Sequence, residues 1–133
     1  TAVLDQFERQ GLTARAEQYG ARLRAGLEAI MDSSPIIGDV RGMGMLRAVE
    51  MVADKKTRTP LPAELLPTER IRIHGLRNGV MLYSRQTAGG TFGHWFMVAP
   101  PLTITGEECK ELLRRTDAAV SDYYSELKSA GSI

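Results

Sequence analysis

Apolar residues at Leu12, Ala16, Tyr19, Leu23, Leu27 and Ile30 recur in steps of three and four, which makes Leu12 to Met31 a one-faced amphipathic helix. A helix with a single apolar stripe must bury it, so the rest of the chain has to supply a covering layer. Asp32-Ser33-Ser34-Pro35 ends the helix, because proline disfavours helical geometry in the residue before it. A second stripe lies near the other end: Leu112, Leu113, Thr116, Ala119, Val120, Tyr123 and Leu127 define a helix from Thr105 to Lys128. Thr105 and Glu108 have the spacing of a capping box at its start. A short helix from Thr1 to Arg9, stopped at Gly11, precedes the first stripe.

Between the two long helices the pattern changes to short segments punctuated by glycine and proline. Ile36 to Val40 and Met45 to Val52 read as strands around Arg41-Gly42-Met43-Gly44. The second strand places Met45, Arg47, Val49 and Met51 on one side and Leu46, Ala48, Glu50 and Val52 on the other. Ala53 to Pro67, with three prolines, reads as a loop; Thr68 to Asn78 reads as a helix with Ile71, Ile73 and Leu76 inward. Val80 to Ser84 and Trp95 to Val98 are expected strands, joined by a flexible connection from Gln86 to Gly93. The order predicts an α+β fold: a small, mainly antiparallel sheet covered by helices on one face.

The 133 residues fit one domain. Net charge is +1, and arginines such as Arg22 and Arg24 are offset by Glu17 and Glu28, which argues against a nucleic-acid-binding face. No apolar run is long enough to span a membrane, and no signal peptide is visible. The single cysteine, Cys109, excludes an internal disulfide and fits a cytoplasmic setting; it reads as a small packing residue. His74 and His94 lie in different elements without an evident third ligand, so they read as solvated or core-edge histidines rather than metal ligands. The chain opens at Thr1 inside a helical pattern and without methionine, as expected of a segment of a longer protein. From the residues alone, this is an α+β domain with no self-contained active site, and a stand-alone binding or regulatory module stays open.

Three stretches carry more. They are Pro35-Ile36-Ile37-Gly38-Asp39-Val40-Arg41-Gly42-Met43-Gly44-Met45 leading into Ala48 to Val52, then Gly75 to Leu82, then Val98-Ala99-Pro100-Pro101-Leu102-Thr103-Ile104-Thr105. In that order and spacing the chain resembles the C-terminal small domain of class III aminotransferases, across essentially its whole length. The resemblance implies a fold-type I, pyridoxal-phosphate-dependent enzyme, usually a homodimer, moving an amino group between an amine or amino acid and a keto acid. It places the cofactor lysine and aspartate in a large domain upstream, so Lys55, Lys56, Lys110 and Lys128 are assigned no catalytic role. A related aminomutase or decarboxylase on the same scaffold is equally consistent with this segment.

The resemblance also points to one contact with substrate. Members acting on α-amino acids commonly carry an arginine two residues before Ala-Pro-Pro; here that position is Met97. Members acting on ω-amino acids or amines use a mobile arginine nearby, for which Arg85, at the start of the glycine-rich connection, is the candidate. Its planar fork meets a carboxylate with two parallel hydrogen bonds. Phe92 and Trp95 are candidate neighbours lining the same entrance. Arg41 reads as a structural brace beside its turn, reaching a carbonyl or carboxylate.

Overall fold

A computed structural model describes residues 1–133. Helices α1 (Ala2–Arg9) and α2 (Leu12–Ser33) are followed by strands β1 (Ile37–Met43), β2 (Leu46–Asp54) and β3 (Thr59–Pro60). Helix α3 (Pro67–Arg77), strands β4 (Tyr83–Gln86) and β5 (His94–Val98) and helix α4 (Gly106–Ser129) complete the chain. The main sheet has the order β1-β2-β5-β4, with every pair antiparallel and β3 paired to the end of β2. This is the expected α+β architecture.

Period-two alternation divides the sheet into two unlike faces. Val40, Val49, Met51, Phe96 and Val98 point inward and are buried in one core with Leu23, Leu27 and Ile30 of α2, Ile71 of α3, and Ala119, Val120, Tyr123 and Leu127 of α4. Each large side chain buried this way contributes roughly 1.5–3 kcal/mol. Cys109 is buried in a smaller cluster with Met45 and Ile104, and burial pushes its thiol pKa up. On the other face no helix packs; Met43 is 87% exposed there.

The hairpin between β1 and β2 is tighter than the sequence suggests. Met43 pairs with Leu46, so strand pairing runs through Arg41 and Gly42, leaving Gly44 and Met45 as the turn. Gly42 (φ +127°) and Gly44 (φ +52°) take left-handed backbone conformations there. Under the hairpin lies Arg47, only 6% exposed, which donates to the Gly42 carbonyl at 2.5 Å and the Gly20 carbonyl at 3.2 Å. Arg47 therefore ties α2 to the hairpin. Arg41 instead faces outward and pairs with the carboxylates of Asp39 (2.9 Å) and Glu50.

Three expected boundaries shift. The segment read as a loop from Ala53 to Pro67 contains β3 and a short 3-10 turn at Ala63–Leu65, because the Asp54 carboxylate accepts from the amides of Lys56 (2.7 Å) and Thr57 (3.0 Å) and folds the chain back on β2. In α3 the inward residues are Pro67, Ile71, His74 and Gly75, whereas Leu76 is exposed; a 3.6-residue period carries the stripe past it. The expected strand from Val80 to Ser84 pairs only from Tyr83 onward. Val80 is held by the end of α3 (Val80 amide to Gly75 carbonyl, 2.9 Å), and Val80 and Leu82 plug the core instead. At α4 the capping box forms as expected, with Thr105 amide to Glu108 Oε2 at 2.8 Å and Glu108 amide to Thr105 Oγ1 at 3.2 Å.

The closest helix-to-hairpin approach is at Gly20, where an added Cβ would lie 2.5 Å from the Gly44 carbonyl carbon and oxygen. Neither neighbour is a flexible side chain that can step aside. Gly20→Ala is expected to lower stability by about 1–3 kcal/mol, read as a fall in the thermal midpoint. An unchanged midpoint would show that α2 and the hairpin are free to separate.

Candidate functional site

The uncovered face of the sheet is where the site residues meet. Cross-strand pairing sets them in two rows: Arg41, Ala48, Met97 and Tyr83 in one, and Asp39, Glu50, Trp95 and Arg85 in the next. Arg41, Met43, Leu46, Ala48, Trp95 and Met97 line a shallow apolar depression of about 480 Å³. Met97 is thus part of an apolar floor.

Arg85 lies within β4 rather than at the start of the following connection, and it pairs directly across from Trp95. The expected position differs because β4 begins three residues later than the Val-Met-Leu run suggests. Strand pairing therefore brings Arg85 and Trp95 together on the open face. Phe92 is separate, 74% exposed at the tip of the β4–β5 connection. That connection is ordered by its own turn bonds, including Thr87 amide to Gly93 carbonyl at 3.1 Å.

The two outward arginines differ in charge state of their surroundings. The charge of Arg41 is taken up by Asp39 and Glu50, and hydrogen bonding to Glu50 raises its pKa further. Arg85 has no carboxylate beside it; its guanidinium lies over the Tyr83 ring, 5.5 Å from the centroid. Such a cation–π contact at an exposed site contributes about 0.5–1 kcal/mol, far less than a carboxylate fork would. Arg85 is therefore the outward arginine whose charge is not taken up by a carboxylate on this face. Tyr83 was not read from the sequence, although its place two residues before Arg85 on one strand puts both on the same face.

The lysines lie away from the open sheet face. Lys55 donates to the Met31 (2.5 Å) and Ser34 (3.1 Å) carbonyls at the end of α2, and Lys110 pairs with Glu107 (2.8 Å) on the surface of α4. Lys56 and Lys128 are exposed. None faces the row of Trp95 and Arg85.

Both histidines are buried, which corrects the solvated reading, and they differ in partners. His74 Nε2 meets Glu126 Oε2 at 2.9 Å, 5.9 Å from the Tyr123 ring centroid. Glu126 also accepts from both ends of the Arg70 guanidinium, clamping α3 to α4. His94 has no such partner.

A sequence profile described as aminotransferase class-III matches residues 1–120. The chain belongs to that family. It is 35% identical over 120 residues to alanine–glyoxylate aminotransferase 2 homolog 2 of Arabidopsis thaliana, covering 90% of this chain and 24% of that protein. It is 39% identical over 102 residues to a 5-aminovalerate aminotransferase of Pseudomonas putida, covering 77% of this chain and 22% of that one. Among solved structures, an (S)-enantioselective omega-transaminase from Thermomicrobium roseum superposes with a TM-score of 0.78 at 32% identity, over 90% of this chain and 25% of that one. The chain spans about a quarter of the length of the curated relatives it matches.

The Glu126 clamp has a pH signature. Hydrogen bonds from Arg70, then from His74, hold its carboxyl below the ordinary value of 4.5. A depressed carboxyl contributes stability that is complete above about pH 4.5 and is lost as pH falls below it. Glu126→Gln is expected to be less stable than wild type at pH 7, with the gap narrowing as pH falls below about 4.5, read from urea midpoints. A gap independent of pH would mean that the carboxylate charge plays no part.

Proposed function

We propose that residues 1–133, with residues 1–34 as a leading helix pair, form the C-terminal small domain of a pyridoxal-phosphate-dependent transaminase. The parent enzyme on this reading transfers an amino group from an amine or ω-amino acid to a keto acid such as pyruvate. It is a cytoplasmic homodimer, and the isolated segment is inactive. On this reading the cofactor is held by residues outside this chain and would supply the electron sink for amino transfer.

The observation that carries the reading is the unneutralised guanidinium of Arg85 on an apolar sheet face, beside Trp95 and above Tyr83. A carboxylate approaching that face finds one free fork, and Met97 offers no second one. A substrate bearing a carboxylate far from its amine, or a keto acid, fits such a single grip. An amine without a carboxylate finds apolar surface instead. Named relatives agree with this division, since a 5-aminovalerate aminotransferase and an omega-transaminase are among them. An alanine–glyoxylate aminotransferase is a relative too, so the discrimination rests on Arg85 and Met97 rather than on kinship.

The test is Arg85→Ala in the full-length enzyme. A charge-assisted hydrogen bond contributes about 1.5–3 kcal/mol, so kcat/KM for pyruvate half-reactions and for ω-amino acids should fall roughly 10- to 100-fold. The half-reaction with an amine lacking a carboxylate should change little. Equal losses for both donors would contradict the carboxylate grip.

A further inference from the structure

His94 is 0% exposed, and its ring meets no side-chain partner; the Leu61 backbone is the one polar group acting on it. It points inward from β5, between Met51 of β2 and Gln86 of β4. The β4–β5 connection lies directly on its ring: a Cβ added to Gly90 would sit 2.7 Å from Cε1 and 2.8 Å from Nε2. Only glycine lets the chain come down this far, and Gly90 does so at φ +96°.

The connection holds this seat against its own backbone preference. Ala88 (φ +48°), Gly89 (+65°), Gly90 (+96°) and Gly93 (+106°) all lie in the left-handed region. For Ala88 that conformation costs roughly 1–2 kcal/mol. The bonds within the loop are short-range turns, such as Gly90 amide to Thr87 carbonyl (3.0 Å) and Gly93 amide to Gly90 carbonyl (3.1 Å). The nearest approach of these turns to the sheet is Gly90 on the imidazole, with Ala63 beside it.

We propose that the neutral His94 ring is a positioning residue that seats the Thr87–Gly93 loop beside the Arg85–Trp95 strand pair, and that a proton on this ring unseats the loop. An imidazolium would bring a charge and a second donor into a pocket that supplies no good acceptor, a costly burial relieved by lifting the glycines and admitting water. No side chain of the neighbourhood compensates. Burial pushes the His94 pKa down from 6.5, with a hydrogen bond to the Leu61 backbone acting the other way. The charged groups on the surrounding elements, Glu50 of β2, Arg85 of β4, Glu64 of the 3-10 turn, and Arg70, Arg72 and His74 of α3, add nothing to that balance. His74 is the internal contrast, because the Glu126 carboxylate lies within hydrogen-bond distance of its ring.

The sign follows from the depressed value. With the loop open the ring titrates near 6.5, and with the loop seated it titrates lower. Seating is therefore complete above about pH 6.5 and weakens as pH falls below it. Between pH 7.5 and 5.5 the opening equilibrium should rise, by up to about tenfold.

Hydrogen exchange by mass spectrometry on the full-length protein reads this directly. Peptides covering Thr87–Gly93 are compared at pH 7.5 and 5.5, after correction for intrinsic exchange, in wild type, His94→Leu and His74→Gln. The expected result is a several-fold acceleration at pH 5.5, up to about tenfold, in wild type and His74→Gln, and none in His94→Leu. A wild-type loop with no acceleration overturns the proposal, as does an acceleration that persists in His94→Leu or disappears in His74→Gln. If His94→Leu does not fold, wild type and His74→Gln still decide. The readout is independent of which substrate the enzyme takes, so it succeeds or fails separately from the Arg85 reading.

Discussion

One-sided burial of the sheet governs everything else in this chain. Three helices pack on the same face, and strand alternation then delivers every second residue of β1, β2, β5 and β4 to the opposite face. The core side selects Val49, Met51, Phe96 and Val98 for volume. The open side is released from packing and carries Arg41, Glu50, Trp95, Met97, Tyr83 and Arg85. Buried Arg47 is the one charged residue on the inward side, and it earns its place by joining two backbone carbonyls from separate elements. α2 touches the hairpin through Gly20, which seats the β1 edge of the sheet against the helix layer.

Much of this was legible in the sequence, for reasons that are local. The stripes of α2 and α4, the capping box at Thr105 and the strand alternation of β2 need only neighbours in the chain to declare themselves. What was not legible depends on tertiary competition. Val80, Met81 and Leu82 have strand propensity, yet Val80 and Leu82 are drawn into the core beneath α3, and pairing with β5 begins only at Tyr83. That shift turns Arg85 from a loop residue into a strand residue facing Trp95. The same holds for His94. Nothing in a lone histidine beside Gly93 announces that Gly90, four residues earlier, will close over its ring.

The candidate site was half-read for a similar reason. Arg85, Trp95 and Phe92 were singled out through family resemblance, and pairing unites the first two while leaving Phe92 exposed on the loop. The charge contrast that gives Arg85 its meaning needed the third dimension. Arg41 is two residues from Asp39 along β1 and across the ladder from Glu50's strand, so its charge is spent internally, whereas Arg85 on the far edge strand meets only an aromatic ring. An edge strand, free on one side, is also the place where a side chain has most room to turn toward a ligand.

The central claim is that Arg85 is the substrate-carboxylate contact supplied by this domain. A crystal structure of the full-length enzyme with a bound keto acid or ω-amino acid analogue tests it most directly. The account predicts the Arg85 guanidinium turned away from Tyr83, with two parallel hydrogen bonds to the ligand carboxylate. A carboxylate held wholly by other residues, with Arg85 still resting on Tyr83, would contradict it.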